Sequence, residues 1–386
     1  MPVLPAAEAD SPAAGSVTIS TEFPGGNAAT GQNEAGLVQI APDLRGDNPW
    51  FYWYFAATAK QAGRVVFETP AKVAGFKNGG IGFQGPAIST DGGSTWQWMG
   101  TENVKDNTFF YDFARAGDVV RFAVTIPYVQ SDLKAFLKQH ADNPHLKQSE
   151  LTTSRNGRSV DLLQIGTPGP NVQPVLVTAR HHAAETIASY VLEGFLQEAM
   201  SDEPAGVAFR EKYVLFAVPL VDTDGVAEGD QGKNRKPWDH NRDYKEGSIY
   251  PEVQAIMALG EAQNFRFALD FHCPTLVFPD HQVMYFVGAK THPQHNFQNV
   301  TLFAERIKAG LPKTAPHGPL VWLRAEKDAS PKSSRFFGFR DDTTLSATLE
   351  IPFAPPGRKT DPASCRLYGQ IMLKAFVETE FLTGKE

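Results

Sequence analysis

The run "YVLFAVPLV" at residues 213–221 is apolar at nearly every position. A strand with one face in water alternates apolar and polar side chains, so a run of this kind must be covered on both faces. "PVLVTAR" (174–180) and "FRFALDFH" (265–272) share the character, and stretches with helical periodicity separate the three. "AETIASYVLEGFLQEAM" (184–200) and "PEVQAIMALGEAQ" (251–263) are two such stretches. Strands alternating with helices in this way build a mixed, largely parallel sheet flanked by helices, an α/β fold. "SVDLLQIG" (159–166) and "TTLSATLEIPF" (343–353) read as further strands, "TLFAERIKAG" (301–310) and "SCRLYGQIMLKAFVETEFL" (364–382) as further helices. Near the start of this region, "SDLKAFLKQH" (131–140) places Leu133, Phe136 and Leu137 on one helical face, with Ser131 as the expected N-cap.

Upstream the period changes. "GLVQIAP", "WFYWYFAA", "RVVFETP", "STWQWMG", "NTFFYDFA" and "DVVRFAVTI" are short, rich in aromatic and β-branched residues, and divided by Gly, Asn and Asp. That pattern predicts an antiparallel β-sandwich over 17–125, ahead of the α/β domain at 126–386. Residues 1–16, rich in Ala, Pro and Asp, are expected to be a flexible arm or the remnant of a removed leader.

A net charge of -7 argues against nucleic acid or an anionic membrane surface as the main partner. The most apolar short run, "WFYWYFAATA" (50–59), is too short to span a bilayer. Cys273 and Cys365 are the only cysteines, which excludes a disulfide framework and a cysteine-rich zinc module. The default expectation is a cytoplasmic protein.

In open α/β sheets, ligands gather beyond the C-terminal ends of the strands. His182 follows "PVLVTA", Asp222 and Asp224 follow "YVLFAVPLV", and His272 ends "FRFALDFH". His182 and Glu185 form the one H-x-x-E in the chain, at a strand-to-helix junction. Two histidines and one glutamate are a documented catalytic zinc set that leaves a position open. Strand alternation points Asp270 the same way as His272, to orient it or merely to flank it. On these residues alone, a metal site and a group of hydrogen-bonded loop residues remain alternatives.

The stretch between them bears on the choice. Arg180, His182 and Glu185, then "DTDG" (222–225), "PWDHNR" (237–242), "LDFH" (269–272) and "SATLE" (346–350) follow in order. This series resembles the M14 zinc carboxypeptidases, specifically the cytosolic carboxypeptidases and their bacterial relatives. The family carries R-x-H-P-G-E, N-P-D-G, G-x-D-x-N-R, D-x-H and T-x-E motifs in that order. The strand-rich first part is similar to the β-sandwich that precedes the catalytic domain in that branch.

The resemblance implies one zinc per chain, held by His182, Glu185 and His272, with Asp239 supporting a ligand imidazole. It implies Glu350 as general base, and Asn241 with Arg242 gripping the terminal carboxylate of a peptide or protein substrate. Arg335, in "SSRFFGFR", matches an arginine associated in the cytosolic branch with terminal glutamate. The chain departs from the pattern where family members have an oxyanion-stabilising arginine, for Gly232 stands there. Arg235 is the expected substitute and Lys233 the second choice. No tyrosine lies in 322–349, so the family's substrate-covering tyrosine has no counterpart in sequence. The activity implied is a zinc carboxypeptidase with preference for acidic C-terminal side chains. The alternatives are a related zinc amidohydrolase acting on a small acylated amino acid or cell-wall peptide, and a binding module for peptide C-termini.

Overall fold

The computed structural model describes residues 16–32, 37–45, 49–73, 80–276, 282–289, 293–313, 317–324, 330–355 and 360–382, so all but the last residue of the expected arm at 1–16 lies outside the described residues. Strands β1 (Val17–Ser20), β2 (Ala29–Gln32), β3 (Val38–Ala41), β4 (Tyr54–Ala59), β5 (Gly63–Glu68), β6 (Ala87–Ser89), β7 (Gln97–Trp98), β8 (Val104–Lys105), β9 (Thr108–Phe113) and β10 (Val119–Ala123) form two five-stranded sheets. Their orders are β1-β4-β10-β6-β7 and β2-β3-β5-β9-β8. The pairing is antiparallel apart from β3 and β5, which run parallel through Val38–Phe67 and Gln39–Glu68. The inward aromatics explain the sequence pattern: Phe67 lies 4.9 Å from Phe109 and 5.1 Å from Phe122, and Phe55 lies 5.4 Å from Phe122.

Helix α1 (Gln130–Gln139) follows, and buries Leu133, Phe136 and Leu137 as expected. Its N-cap is Val129 rather than Ser131: the Asp132 carboxylate reaches back to the Val129 N–H at 2.7 Å. A carboxylate in the first turn satisfies an orphan donor and favours the positive end of the helix dipole, which leaves Ser131 inside the helix.

The second part contains β11 (Leu146–Thr153), β12 (Ser159–Ile165), β13 (Gln173–Ala179), α2 (Ile187–Met200), α3 (Pro204–Lys212), β14 (Tyr213–Val218), α4 (Thr223–Glu228), α5 (Pro251–Gln263), β15 (Phe267–His272), β16 (Met284–Ala289), α6 (Gln294–Gly310), β17 (His317–Arg324), α7 (Ser333–Gly338), β18 (Leu345–Glu350) and α8 (Pro362–Glu378). The sheet order is β11-β12-β14-β13-β15-β18-β16-β17. Its centre, β14-β13-β15-β18, is parallel, as is β16-β17; β11-β12, β12-β14 and β16-β18 are antiparallel.

Alternate residues of the central strands enter different cores. Val175, Val177, Leu215, Ala217, Leu269 and Phe271 join the large core with α2 and α8, which is continuous with the aromatic centre of the sandwich. Leu176, Val214, Phe216 and Ala268 join a smaller core with Val253, Ile256 and Phe337. The expectation from "YVLFAVPLV" of burial on both faces is met. On the smaller-core side the strands turn polar toward their C-terminal ends: Ala268 gives way to Asp270 and His272, Ser346 to Thr348 and Glu350. Among the described residues no helix is long and apolar enough to cross a membrane.

Candidate active site

Sheet register brings the first site residues together. His272 lies opposite Glu350 across β15 and β18, and Tyr285 of β16 lies opposite Glu350 on its other side. Residues directly opposite on neighbouring strands project to one face, so the three form a row at the strand ends.

The loop after β13 supplies the rest. Arg180 takes a left-handed φ of 63° and is almost fully buried. Its guanidinium donates to Ala183 O through Nε and Nη2, and Nη1 donates to Tyr128 O and Ser189 Oγ, both at 3.0 Å. Ala184 N–H donates to Gln231 O at 3.0 Å. The Gln231 side chain in turn accepts the N–H groups of Phe51 (3.0 Å) and Tyr52 (3.1 Å), which ties the loop to the sandwich. The two alanines between His182 and Glu185 thus lie in a loop held from both sides.

So braced, the loop turns His182 and Glu185 toward His272. His182 Nδ1 is 2.9 Å from Glu185 Oε1, His272 Nδ1 is 2.8 Å from Glu185 Oε2, and the two ring nitrogens are 3.1 Å apart. One ligand atom from each residue lies within 4.8 Å of the others, and all three side chains are buried. The outer nitrogens have carboxylates behind them. Asp270 Oδ2 is 2.7 Å from His272 Nε2, and Asp239 Oδ1 is 3.6 Å from His182 Nε2. A carboxylate behind an imidazole takes its outer N–H and leaves the inner nitrogen as a lone-pair donor. Two such nitrogens and a carboxylate converging on one point are a donor set that fits zinc.

Burial and neighbouring charges act in opposite directions on each of these groups. Burial alone raises the Glu185 carboxyl, but His182, His272 and Lys233 outweigh it and hold the group well below the usual range. Burial likewise opposes ionisation of Asp239, yet His182 and neighbouring donors keep it low. Burial lowers His272, while Asp270 and Glu185 together raise it well above the ordinary imidazole value. Glu350 is pushed upward, chiefly by burial, against the pull of Lys233. Among the described residues its buried Oε2 has no hydrogen-bond partner, so this oxygen is available to a bound molecule.

The 237–250 loop is organised by Asp243, which accepts from Trp238 Nε1, Ser248 Oγ, Ile249 N–H and Tyr250 N–H at 2.6–2.9 Å. It brings Asn241 beside the cluster, with Nδ2 at 3.2 Å from His272 Nε2 and Oδ1 accepting the Ser333 N–H at 3.0 Å. Arg242 donates to Asn241 O at 3.0 Å and adds positive charge beside Lys233 and Asp239. His240 turns elsewhere, stacked 3.7 Å from Tyr250 between Asp222 and Glu252.

A sequence model of the M14 peptidases, described as zinc carboxypeptidase, matches residues 133–250. Cytosolic carboxypeptidase 2 of Xenopus tropicalis is 33% identical over 148 residues, 36% of this chain but only 15% of the relative's length. Human cytosolic carboxypeptidase 6 is 24% identical over 345 residues, 81% of this chain and 67% of that protein. A metallo-carboxypeptidase structure from Burkholderia cenocepacia superimposes with a TM-score of 0.78 at 22% identity, covering 94% of this chain and 98% of its own. A Pseudomonas aeruginosa metallo-carboxypeptidase in complex with (2-guanidinoethylmercapto)succinic acid gives 0.77 at 21% identity, covering 93% and 98%. At such identities the structural likeness is one of fold. Over residues 133–250 the chain is similar to the M14 zinc carboxypeptidases, and along most of its length to a cytosolic carboxypeptidase.

The structure corrects one expectation and explains a gap. Arg235 does not face the cluster. Its guanidinium is committed to Asp222 (2.9 Å) and Asp230 (3.1 Å) in a largely buried double ion pair. Lys233 faces it instead, with Nζ 3.6 Å from Glu185 Oε1 and within the field of Glu350. The cause is Gly232, with φ +78°: a Cβ there would meet Ala183 N at 2.3 Å and His182 Cα at 3.0 Å. No side chain fits at position 232 without a shift of the ligand loop. Arg335, on α7, places its guanidinium 4.4 Å over the Phe339 ring, and the first residue of that helix is the Ser333 held by Asn241. Arg340 turns away toward Gly260, Glu261 and Asn264. Tyr285, opposite Glu350, was not legible in the sequence, because it comes from the neighbouring strand β16 rather than from the stretch before Glu350. Nor were the contacts of Tyr244, whose number gives no hint of proximity to His181.

Proposed function

We propose that this chain is a zinc-dependent carboxypeptidase that releases C-terminal residues from peptides or proteins, with preference for acidic side chains. The observation that carries the reading is the convergence of His182 Nδ1, His272 Nδ1 and the Glu185 carboxylate beside the unpartnered Oε2 of Glu350. His182, Glu185 and His272 would hold the metal, and Asp239 and Asp270 would orient the two imidazoles. A zinc ion so held acts as a Lewis acid toward a carbonyl oxygen and brings the acidity of water near neutrality.

The remaining roles belong to side chains. Arg242 and Asn241 bind the substrate's terminal carboxylate, for which a guanidinium offers a planar two-pronged donor. Glu350 accepts a proton from the attacking water as its oxygen bonds to the scissile carbonyl carbon. It then passes that proton to the departing amine nitrogen as the C–N bond breaks. Lys233 faces the carbonyl oxygen as it gains charge, the task for which family members use arginine. Arg335 supports the acidic preference, since a cation in the side-chain pocket favours an anion and repels Lys or Arg. In this reading residues 126–386 are the catalytic domain, with the sandwich at 17–125 as its brace. The cytosolic designation of the relatives supports a cytoplasmic location.

A panel of peptides differing only in the C-terminal residue, run with and without chelator, tests the reading. Chelator-sensitive release of terminal Glu or Asp is the expected result. Activity only on small acylated amino acids would replace it with the amidohydrolase reading, and activity indifferent to metal removal would refute the mechanism.

A further inference from the structure

A chain of buried polar contacts leads away from the ligand cluster. Asp270 meets His272 Nε2 at 2.7 Å with one oxygen. Its other oxygen accepts from Thr178 Oγ1 (2.9 Å) and faces His181 Nδ1 (2.8 Å). His181 Nε2 lies 2.7 Å from the Tyr244 hydroxyl. The Ser333 side chain hydrogen-bonds Tyr244, and the Ser333 N–H donates to Asn241. His181, Asp270, His272 and Tyr244 are 0%, 2%, 1% and 4% exposed, so water does not replace a lost member.

The contacts set a proton order along this chain. Asp270 stands between two imidazoles and the Thr178 hydroxyl, and as a carboxylate it accepts from each. His181 must therefore present Nδ1–H to it. With Nδ1–H given to Asp270, His181 turns Nε2 to the Tyr244 hydroxyl at 2.7 Å and accepts its O–H. The second Asp270 oxygen receives Nε2–H of His272, which leaves His272 Nδ1 as the lone pair directed at Glu185 and His182. Neither His181 nor Tyr244 belongs to the proposed ligand set, yet both determine how Asp270 stands.

We propose that His181 and Tyr244 are positioning residues that act through Asp270 to hold His272 in its metal-binding tautomer, so that metal retention depends on a tyrosine beyond the ligands' own partners. This rests on His182, Glu185 and His272 being the ligands. The test is the zinc dissociation constant, measured in competition with a chromophoric chelator, of the full chain and of Tyr244→Phe, His181→Leu and His181→Gln. Removal of a partner behind a ligand weakens metal binding by about 10–100-fold. His181→Leu is expected near the lower end of that range. Tyr244→Phe, which removes one oxygen, should lose severalfold, and His181→Gln, whose amide can still donate to Asp270, should recover part of the loss.

The melting temperature of each metal-free protein separates positioning from folding, and Tyr244→Phe carries the test should His181→Leu fail to fold. Unchanged zinc affinity in Tyr244→Phe and in whichever His181 variants fold overturns the proposal, and so does a loss confined to metal-free stability. Tight zinc binding by wild type and variants alike would overturn the relay and leave the ligands standing. A wild-type chain that takes up no zinc would overturn both.

Discussion

Gly232→Ala is the smallest change that tests how the ligand loop is held. The glycine has φ +78°, and an added Cβ would lie 2.3 Å from Ala183 N, where ordinary contact begins near 3.4 Å. The left-handed backbone alone costs a side chain roughly 1–2 kcal/mol. Opening a gap of about an ångström against backbone adds an overpacking cost of roughly 1–3 kcal/mol. The total, about 2–5 kcal/mol, is within the roughly 5–15 kcal/mol of a folded domain, so the protein is expected to fold. What moves is Ala183, which sits between His182 and Glu185 and carries the carbonyl that Arg180 holds. The expected outcome is a Tm lower by at least a few degrees together with a weaker zinc affinity, read by thermal melts with and without metal and by chelator competition. A variant with wild-type Tm and zinc affinity would refute the close approach of Gly232 to the ligand loop and the account of the missing arginine built on it.

Lys233→Met is expected to lower kcat by about 10²–10³, the cost of losing one oxyanion donor. It should also move the acid limb of kcat/KM to higher pH. Glu350 works ionised, burial raises its pKa and Lys233 opposes that rise, so without the lysine activity is lost at a higher pH on acidification; an unmoved profile would exclude Lys233 from the site. Glu350→Gln should keep zinc and fold while kcat falls by about 10²–10⁴, and near-normal turnover would mean that another group takes the proton. Arg335→Leu should reduce kcat/KM for peptides ending in Glu by roughly tenfold or more, as for loss of a hydrogen bond to a charged group, and leave those ending in Leu little changed. Equal losses on both peptides would place the side-chain preference elsewhere.

The readable parts of the sequence are those where one physical requirement dominates. Strands buried on both faces announce themselves as apolar runs, and the polar residues closing them, His182 and His272, stand out against that background. Glu350 closes "SATLE" in the same way, though only the family motif singles it out. By contrast β11, "LKQSELTT", is an edge strand with mostly exposed side chains, and nothing in its composition marks it as sheet. The choice between Lys233 and Arg235 turned on loop geometry imposed by contact between Gly232 and residues some fifty positions earlier, which spacing within the loop does not encode. Arg235 has the chemistry for the oxyanion task, but Asp222 and Asp230 claim it first. His181 looked like the idle neighbour of His182. Its bonds to Asp270 and Tyr244 depend on register between β13 and β15 and on a loop 63 positions away.

Gln231 gives the front sheets a role in chemistry they never touch. Its backbone carbonyl holds Ala184, inside the His182–Glu185 turn, and its side chain is held by Phe51 and Tyr52. A single glutamine thus works as a keystone, with the sandwich as one abutment and the ligand turn as the other. Two pieces joined in this way are poor candidates for recombination: a catalytic half grafted behind a different front sheet would inherit the histidines and lose the support that aims them. Descendants of such a protein would be expected to keep the two halves together as they diverge.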